Sequence, residues 1–177
     1  MVKQTRTTRR RGVLWPRRYR SSLTRRAAVL KGLRPSRYYA GLTRKAQKAR
    51  EKEIKRFGAK ATDDPKAYVG FKTDIGVKTK PSSYTQEWNA LFPDAKSLEE
   101  RAKVTGVPLR FIQESFDRGM AAWRTGHRPG ATQQQWGYAR VSSFLLCGKT
   151  HYTTDSDLAR KATRLSASAR RWFSRCA

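Results

Sequence analysis

Acidic residues are scarce in this chain: 13 Asp and Glu stand against 40 Lys and Arg, a formal net charge of +27 over 177 residues. That balance points to a polyanionic or acidic partner without naming one. Histidine is scarcer still, with only His127 and His151, so a general base held by an orienting carboxylate has few places to sit. No run of 18 or more apolar residues exists, which excludes a membrane-spanning helix. No apolar stretch follows the charged N-terminus, which argues against a secretory signal, although its Arg-rich, acid-poor composition is that of a transit peptide. Cys147 and Cys176 are the only thiols. They are far apart and lack metal-ligand spacing, so the expectation is a reducing compartment, with neither a disulfide scaffold nor a zinc site. A Walker A loop, GxGxxG, HExxH and a CxxC pair are all missing, and no cofactor or metal is expected. Apolar residues make up only 37% of the chain, yet 5 Trp, 7 Tyr and 7 Phe are present. A few such aromatics can anchor a small core.

The positive charge is unevenly placed. Residues 1–57 hold 20 Lys and Arg with only Glu51 and Glu53, a net of +18, and residues 58–177 hold the remaining +9. Of the 40 cations, 25 are Arg, whose planar fork matches phosphate and carboxylate. Apolar anchors (Trp15, Tyr19, Leu23, Leu30, Leu42) are interleaved with these cations, which favours an arm ordered on a partner over a solvated tail. The candidate partner-binding or nucleic-acid-binding residues are Arg9, Arg10, Arg11, Arg17, Arg18, Arg20, Arg25 and Arg26, with Tyr38 and Tyr39. Ser22 caps a short helix over residues 23–31, and Thr43 precedes another over residues 44–56 that stops at Gly58. This second helix carries few apolar residues and must lie on something.

The expected fold is mainly α: a small helical bundle behind a long, basic, largely extended arm. The arm spans residues 1–57, an irregular linker 58–93 and the helical module 94–177. Asp63-Asp64-Pro65, Gly70, Gly76 and Pro81 punctuate the linker, which holds two short strand candidates, Val69–Phe71 and Ile75–Val77, and a helix over Tyr84–Leu91. In the module, Ser97 and Glu100 form a capping box, as do Thr132 and Gln135. Pro108 at the first helical position opens a helix whose stripe is Leu109, Ile112, Phe116, Met120 and Trp123. A last helix, capped at Thr154-Asp155, has the stripe Leu158, Ala162, Leu165, Ala169 and Trp172. Residues 98–123 have the spacing of a DNA-reading helix-turn-helix. The second helix lacks a base-reading cluster and carries Glu114 and Asp117, so a structural hairpin is the better reading.

Residues 118–144 form the most distinctive segment: two Trp, four Gly and four Arg around one tight loop. Trp123 and Trp136 are expected to clasp the loop, with Arg124, Arg128 and Arg140 binding loop carbonyls or an acidic partner. His127 has no acidic residue near it in sequence and reads as a loop residue bonding backbone or phosphate. Asp155 and Asp157 read as helix capping and dipole compensation. The block Arg118-Gly-Met-Ala-Ala-Trp through Trp136-Gly-Tyr-Ala-Arg140 resembles a domain of unknown function found in large DNA viruses of algae and amoebae. That resemblance covers residues 98–160 well and 17–57 weakly, with Arg20–Arg26 and Ser36–Lys45 as its upstream counterpart and Lys149–Asp155 as its downstream one. His127 departs from the small polar residue usual there. No activity comes with the family; it implies a virus-encoded or virion protein.

The leading expectation is therefore a non-enzymatic virion component, a minor capsid protein on the inner shell face. Its module would dock to major and other minor capsid proteins while the arm threads between them, with viral double-stranded DNA as a second neighbour. It would be made in the host cytoplasm or nucleus. The alternative is a genome-condensing or ribosome-type nucleic-acid-binding protein.

Overall fold

The computed structural model describes residues 36–176. The arm candidates from Arg9 to Arg26, and the helix expected over residues 23–31, lie outside the described residues. Within them the chain is mainly helical. A 3-10 turn, Ser36–Tyr39, leads into α1 (Arg44–Gly58). Two further 3-10 turns follow, Pro65–Ala67 and Lys72–Asp74, and then α2 (Ser83–Leu91). The module continues with α3 (Leu98–Thr105), α4 (Leu109–Trp123), α5 (Gln133–Leu145) and the short α6 (Lys149–Tyr152). The last elements are α7 (Ser156–Leu165), α8 (Ala167–Phe173) and a 3-10 turn, Ser174–Cys176.

Local signals set most of the helix starts. The Thr43 hydroxyl accepts from the Ala46 N–H at 3.3 Å. Both halves of the capping boxes form at Ser97/Glu100 and at Thr132/Gln135, satisfying N–H groups that the helix itself cannot. Pro108 is the residue that precedes α4 rather than its first turn. Gly106 ends α3 with φ 68°, and a Cβ there would lie 2.4 Å from the Ser168 Cβ, so turn and packing both require glycine.

α4 and α5 form the central hairpin, and their glycines let them approach to backbone contact. A Cβ on Gly119 would lie 2.8 Å from the Gly137 Cα, and one on Gly137 would lie 2.5 Å from the Phe116 ring. Around this pair Trp88, Val107, Phe111, Ile112, Phe144, Leu145, Leu158 and Trp172 form the main core. A second, smaller cluster joins Ile54 and Phe57 of α1 to Phe71 and Trp123, with Trp136 against its edge. This is what α1 lies on. Inside the main core, Arg101 is only 2% exposed and faces no carboxylate. Its guanidinium sits over the rings of Trp88 (4.8 Å) and Tyr138 (5.0 Å) and donates to the Ser142 hydroxyl. Burial pushes this guanidinium down to about 10.

Several expectations need correction. No strand forms among the described residues: Gly70 (φ 91°) and Gly76 (φ 75°) turn the chain, Phe71 alone plugs inward, and Val69 and Ile75 are exposed. The α4 stripe is rotated. Its buried face is Phe111, Ile112, Ser115, Gly119 and Trp123, while Leu109 is exposed and Phe116 and Met120 are half-buried. The last helix is two helices, broken at Ser166. The Ser166 hydroxyl donates to the Gly106 carbonyl and accepts the Ala169 N–H, so it ends α7 and starts α8. Leu165, assigned to the core stripe, is 63% exposed.

Cys147 and Cys176 are joined by a disulfide, not held as separate thiols; their Cα atoms are 5.3 Å apart. Their separation of 29 residues carries no pairing signal until α8 folds back against the end of α5. Cys147 takes the left-handed conformation (φ 55°), and the next N–H bonds the Ser143 carbonyl, closing α5 with a Schellman-type turn.

Two outcomes test this packing. Gly137→Ala places a methyl into the Phe116 ring and should lower stability by about 1–3 kcal/mol, read as a reduced thermal midpoint. Reducing the disulfide, or Cys176→Ser, should cost about 3–4 kcal/mol by the chain-entropy estimate for a loop of this length. Chemical denaturation with and without reductant measures it.

Candidate functional site: a basic cleft beside a buried ion network

The loop between α4 and α5 is held from below by residues far away in sequence. Arg50 of α1 is fully buried, and its Nη1 donates to the Asp74 Oδ1 at 2.8 Å and to the Thr73 hydroxyl at 2.8 Å, while Nη2 donates to the His127 carbonyl at 2.8 Å. Asp74 also accepts the Gly130 N–H at 3.0 Å and faces His127 Nε2 at 2.6 Å through its other oxygen. The second ring nitrogen of His127 lies 2.9 Å from the Trp123 carbonyl. Both groups facing the imidazole are hydrogen-bond acceptors. The ring stacks on Trp123 at 4.2 Å and meets Phe71 edge-on. Burial by itself would raise the Asp74 carboxyl; the hydrogen bond and charge of His127, the Gly130 N–H and Arg50 outweigh it and hold the group below its usual value. Gly130 (φ 78°) lets this loop touch the 74–79 segment, since a Cβ there would fall 2.0 Å from the Val77 carbonyl oxygen.

His127 therefore has its acidic partner after all, delivered from 53 residues upstream. The ring is fully buried and belongs to the scaffold. Trp123 does clasp the loop, with its indole N–H on the Ala131 carbonyl at 2.6 Å. Arg124 does bind carbonyls, but those of Phe57, Gly58 and Lys60 at the C-terminus of α1, where the helix dipole favours a cation.

Asp157 does lie in the first turn of α7, where a carboxylate suits the helix dipole, but Asp155 differs from expectation. Asp155 precedes α7 without capping it. It is fully buried and accepts from Arg140 Nη2 at 2.7 Å and from the Ser115 hydroxyl at 3.0 Å, with Arg118 at 3.5 Å. Asp157 takes both Arg118 terminal nitrogens at 2.8 Å each, which pulls its carboxyl down to about 2. The remaining histidine, His151, lies among Phe144, Tyr152 and Phe173. Burial pushes its imidazole below the ordinary value, so it too is a core side chain.

A cleft of about 520 Å³ opens beside the α4–α5 hairpin. Arg37, Lys80, Arg128, Arg140 and Lys149 line it together with Tyr84 and Trp136, over small apolar residues (Ala122, Ala131, Ala139), and no carboxylate faces it. Arg37, Lys80 and Arg128 are exposed at its rim, and Trp136 is half-buried. Gly148 brings the Tyr84 ring close: a Cβ there would lie 2.5 Å from it. The Tyr84 hydroxyl accepts the Lys149 N–H. Of the motif residues singled out in the sequence, the structure thus gathers Arg128, Trp136 and Arg140 at the cleft and places Trp123, Arg124 and His127 in the scaffold beneath the loop. Tyr39 bonds Glu51 through its hydroxyl, and Tyr38 lies under the Arg37 guanidinium at 5.3 Å.

Sequence reasoning missed Arg37, Lys80, Tyr84 and Lys149, because they come from three separate segments and no spacing links them to the motif. A related feature is where the acids go. All 13 lie among the described residues, and nine of them bond within the fold: Glu51, Glu53, Asp64, Asp74, Glu100, Glu114, Asp117, Asp155 and Asp157. Of these nine, Glu100, Glu114 and Asp117 are exposed, and Asp74 and Asp155 take the buried arginine contacts.

Asp74→Asn removes the charge that Arg50 and His127 share while keeping the shape. Breaking a buried pair from one side costs about 3–5 kcal/mol. Denaturant unfolding should therefore show a loss of that order, against less than about 0.5 kcal/mol for the exposed Asp63→Asn.

Neither the curated proteins nor the solved structures contain a match to this chain. A family model does match, over residues 35–162, a span that includes the Arg50–Asp74–His127 network and every residue of the cleft. The chain belongs to that family, a family of unknown function designated DUF5824.

Proposed function

We propose that the protein is a non-catalytic structural component of a large DNA virus particle, a minor capsid protein on the inner shell face. The helical module docks to capsid subunits, and the basic segment preceding it runs largely extended between them. The observation that carries this reading is the charge asymmetry. Residues 1–57 hold +18 in an Arg-rich stretch studded with aromatic and aliphatic anchors, a composition suited to ordering against an acidic or phosphate-bearing neighbour. The packing of α1 onto Phe71 and Trp123 supports assigning the threading role to residues 1–35. Such a stretch reaches at most roughly 115 Å at ~3.3 Å per residue, far enough to touch more than one subunit.

The same charge favours a second reading, nucleic-acid condensation. The eighteen net positive charges of residues 1–57, on binding a duplex, would release counterions and make affinity fall steeply with salt.

Fractionating particles separates the two. After nuclease and gentle release of the genome, the protein should stay with intact shells. Its departure together with the DNA, accompanied by a steep salt dependence of duplex binding by the purified chain, would overturn the capsid reading in favour of the second.

A further inference from the structure

We infer that the cleft between the α4–α5 hairpin and the 79–84 segment is a binding site for a single strand of nucleic acid, with one base against Trp136 and the flanking phosphates on Arg37, Lys80 and Arg128. This assignment does not rest on the capsid reading and stands or falls separately from it.

Three observations converge. Five cations line the cleft and no carboxylate does. Arg140, already paired with Asp155, adds donors rather than uncompensated charge, so the net attraction comes from the exposed rim cations. Apolar surface is present too: Ala122, Ala131 and Ala139 line the cleft together with the half-buried Trp136. No hydrogen bond engages the Trp136 indole N–H among the described residues, unlike those of Trp88, Trp123 and Trp172, which all donate to carbonyls. A large ring held half-open with a spare donor, next to cations, is the arrangement that stacks a base and tracks a backbone. A volume of about 520 Å³ falls in the range of small-ligand sites and suits one or two splayed nucleotides rather than a stacked duplex.

An acidic peptide would meet the same cations but offers no planar group to cover the alanines and the indole face.

Fluorescence anisotropy on the full chain tests this with four probes: a thymidine hexanucleotide, an abasic phosphodiester hexamer, thymidine 5′-monophosphate and a hexa-aspartate peptide. The hexanucleotide should bind at least about fivefold more tightly than its abasic counterpart, the smallest gain one stacked base provides. Trp136→Leu, which keeps apolar packing against the second cluster, should abolish that difference. Arg128→Glu, at an exposed position, should weaken both hexamers together. Circular dichroism on each variant confirms that the fold is kept. Equal binding of the base-bearing and abasic hexamers would overturn the inference. So would unchanged binding in the folded variants, a monophosphate as tight as the hexanucleotide, or an acidic peptide that competes as well as the strand.

Discussion

A buried guanidinium must find acceptors, and this chain has few carboxylates to offer. That single constraint organises the fold. Two aspartates, Asp74 and Asp155, each receive a buried or nearly buried arginine, and each collects further donors from the surrounding backbone and side chains. Where carboxylates run out, other acceptors substitute. Arg124 uses the carbonyls that α1 leaves open at its end, and Arg101 rests between two ring faces with one hydroxyl. Arginine suits all three solutions because its charge is spread over a flat, weakly hydrated group.

These centres are also the joints between elements. The Asp74 network fastens α1 and the 72–74 turn to the loop between α4 and α5. The Asp155 network fastens the α4–α5 hairpin to the start of α7, through Arg140 on one helix and Arg118 on the other. Between the joints the Gly119–Gly137 crossing fixes the distance of the central helices. The wall of the cleft that carries Trp136 and Arg140 is therefore set by buried contacts. A site on such a wall is pre-shaped, which lowers the cost of ordering it on binding.

What could be read in advance was local. Ser97 with Glu100, and Thr132 with Gln135, are capping boxes because both partners lie within one turn, and the spacing alone carries the information. The helical class and the α2 helix around Trp88 followed from the same kind of signal. Illegible features were those whose partners meet only in three dimensions. Asp74 sits in a Gly- and Pro-punctuated stretch that reads as linker, and nothing near His127 announces it. Asp155 looks like a cap from its neighbours, yet its carboxylate turns inward because Arg140 has no other acid within reach. Periodicity misjudged Leu109 and Leu165 because both lie at helix ends, where the buried face has already rotated away. Gly119 and Gly137 were noticed as a motif, but only packing explains them, since what matters is the missing Cβ.

The disulfide has a consequence for how the protein can be divided. It ties Cys147, inside the family-matched span, to Cys176, beyond the end of that span. A fragment cut at residue 162 would lose Trp172 and Phe173, uncover the faces of Phe144 and Leu145 that they shield, and leave Cys147 as a thiol beside freshly exposed apolar surface. Two such fragments would have both the sticky face and the reactive atom needed to cross-link into a dimer. The contacts that complete the core therefore run past the stretch matched to the family.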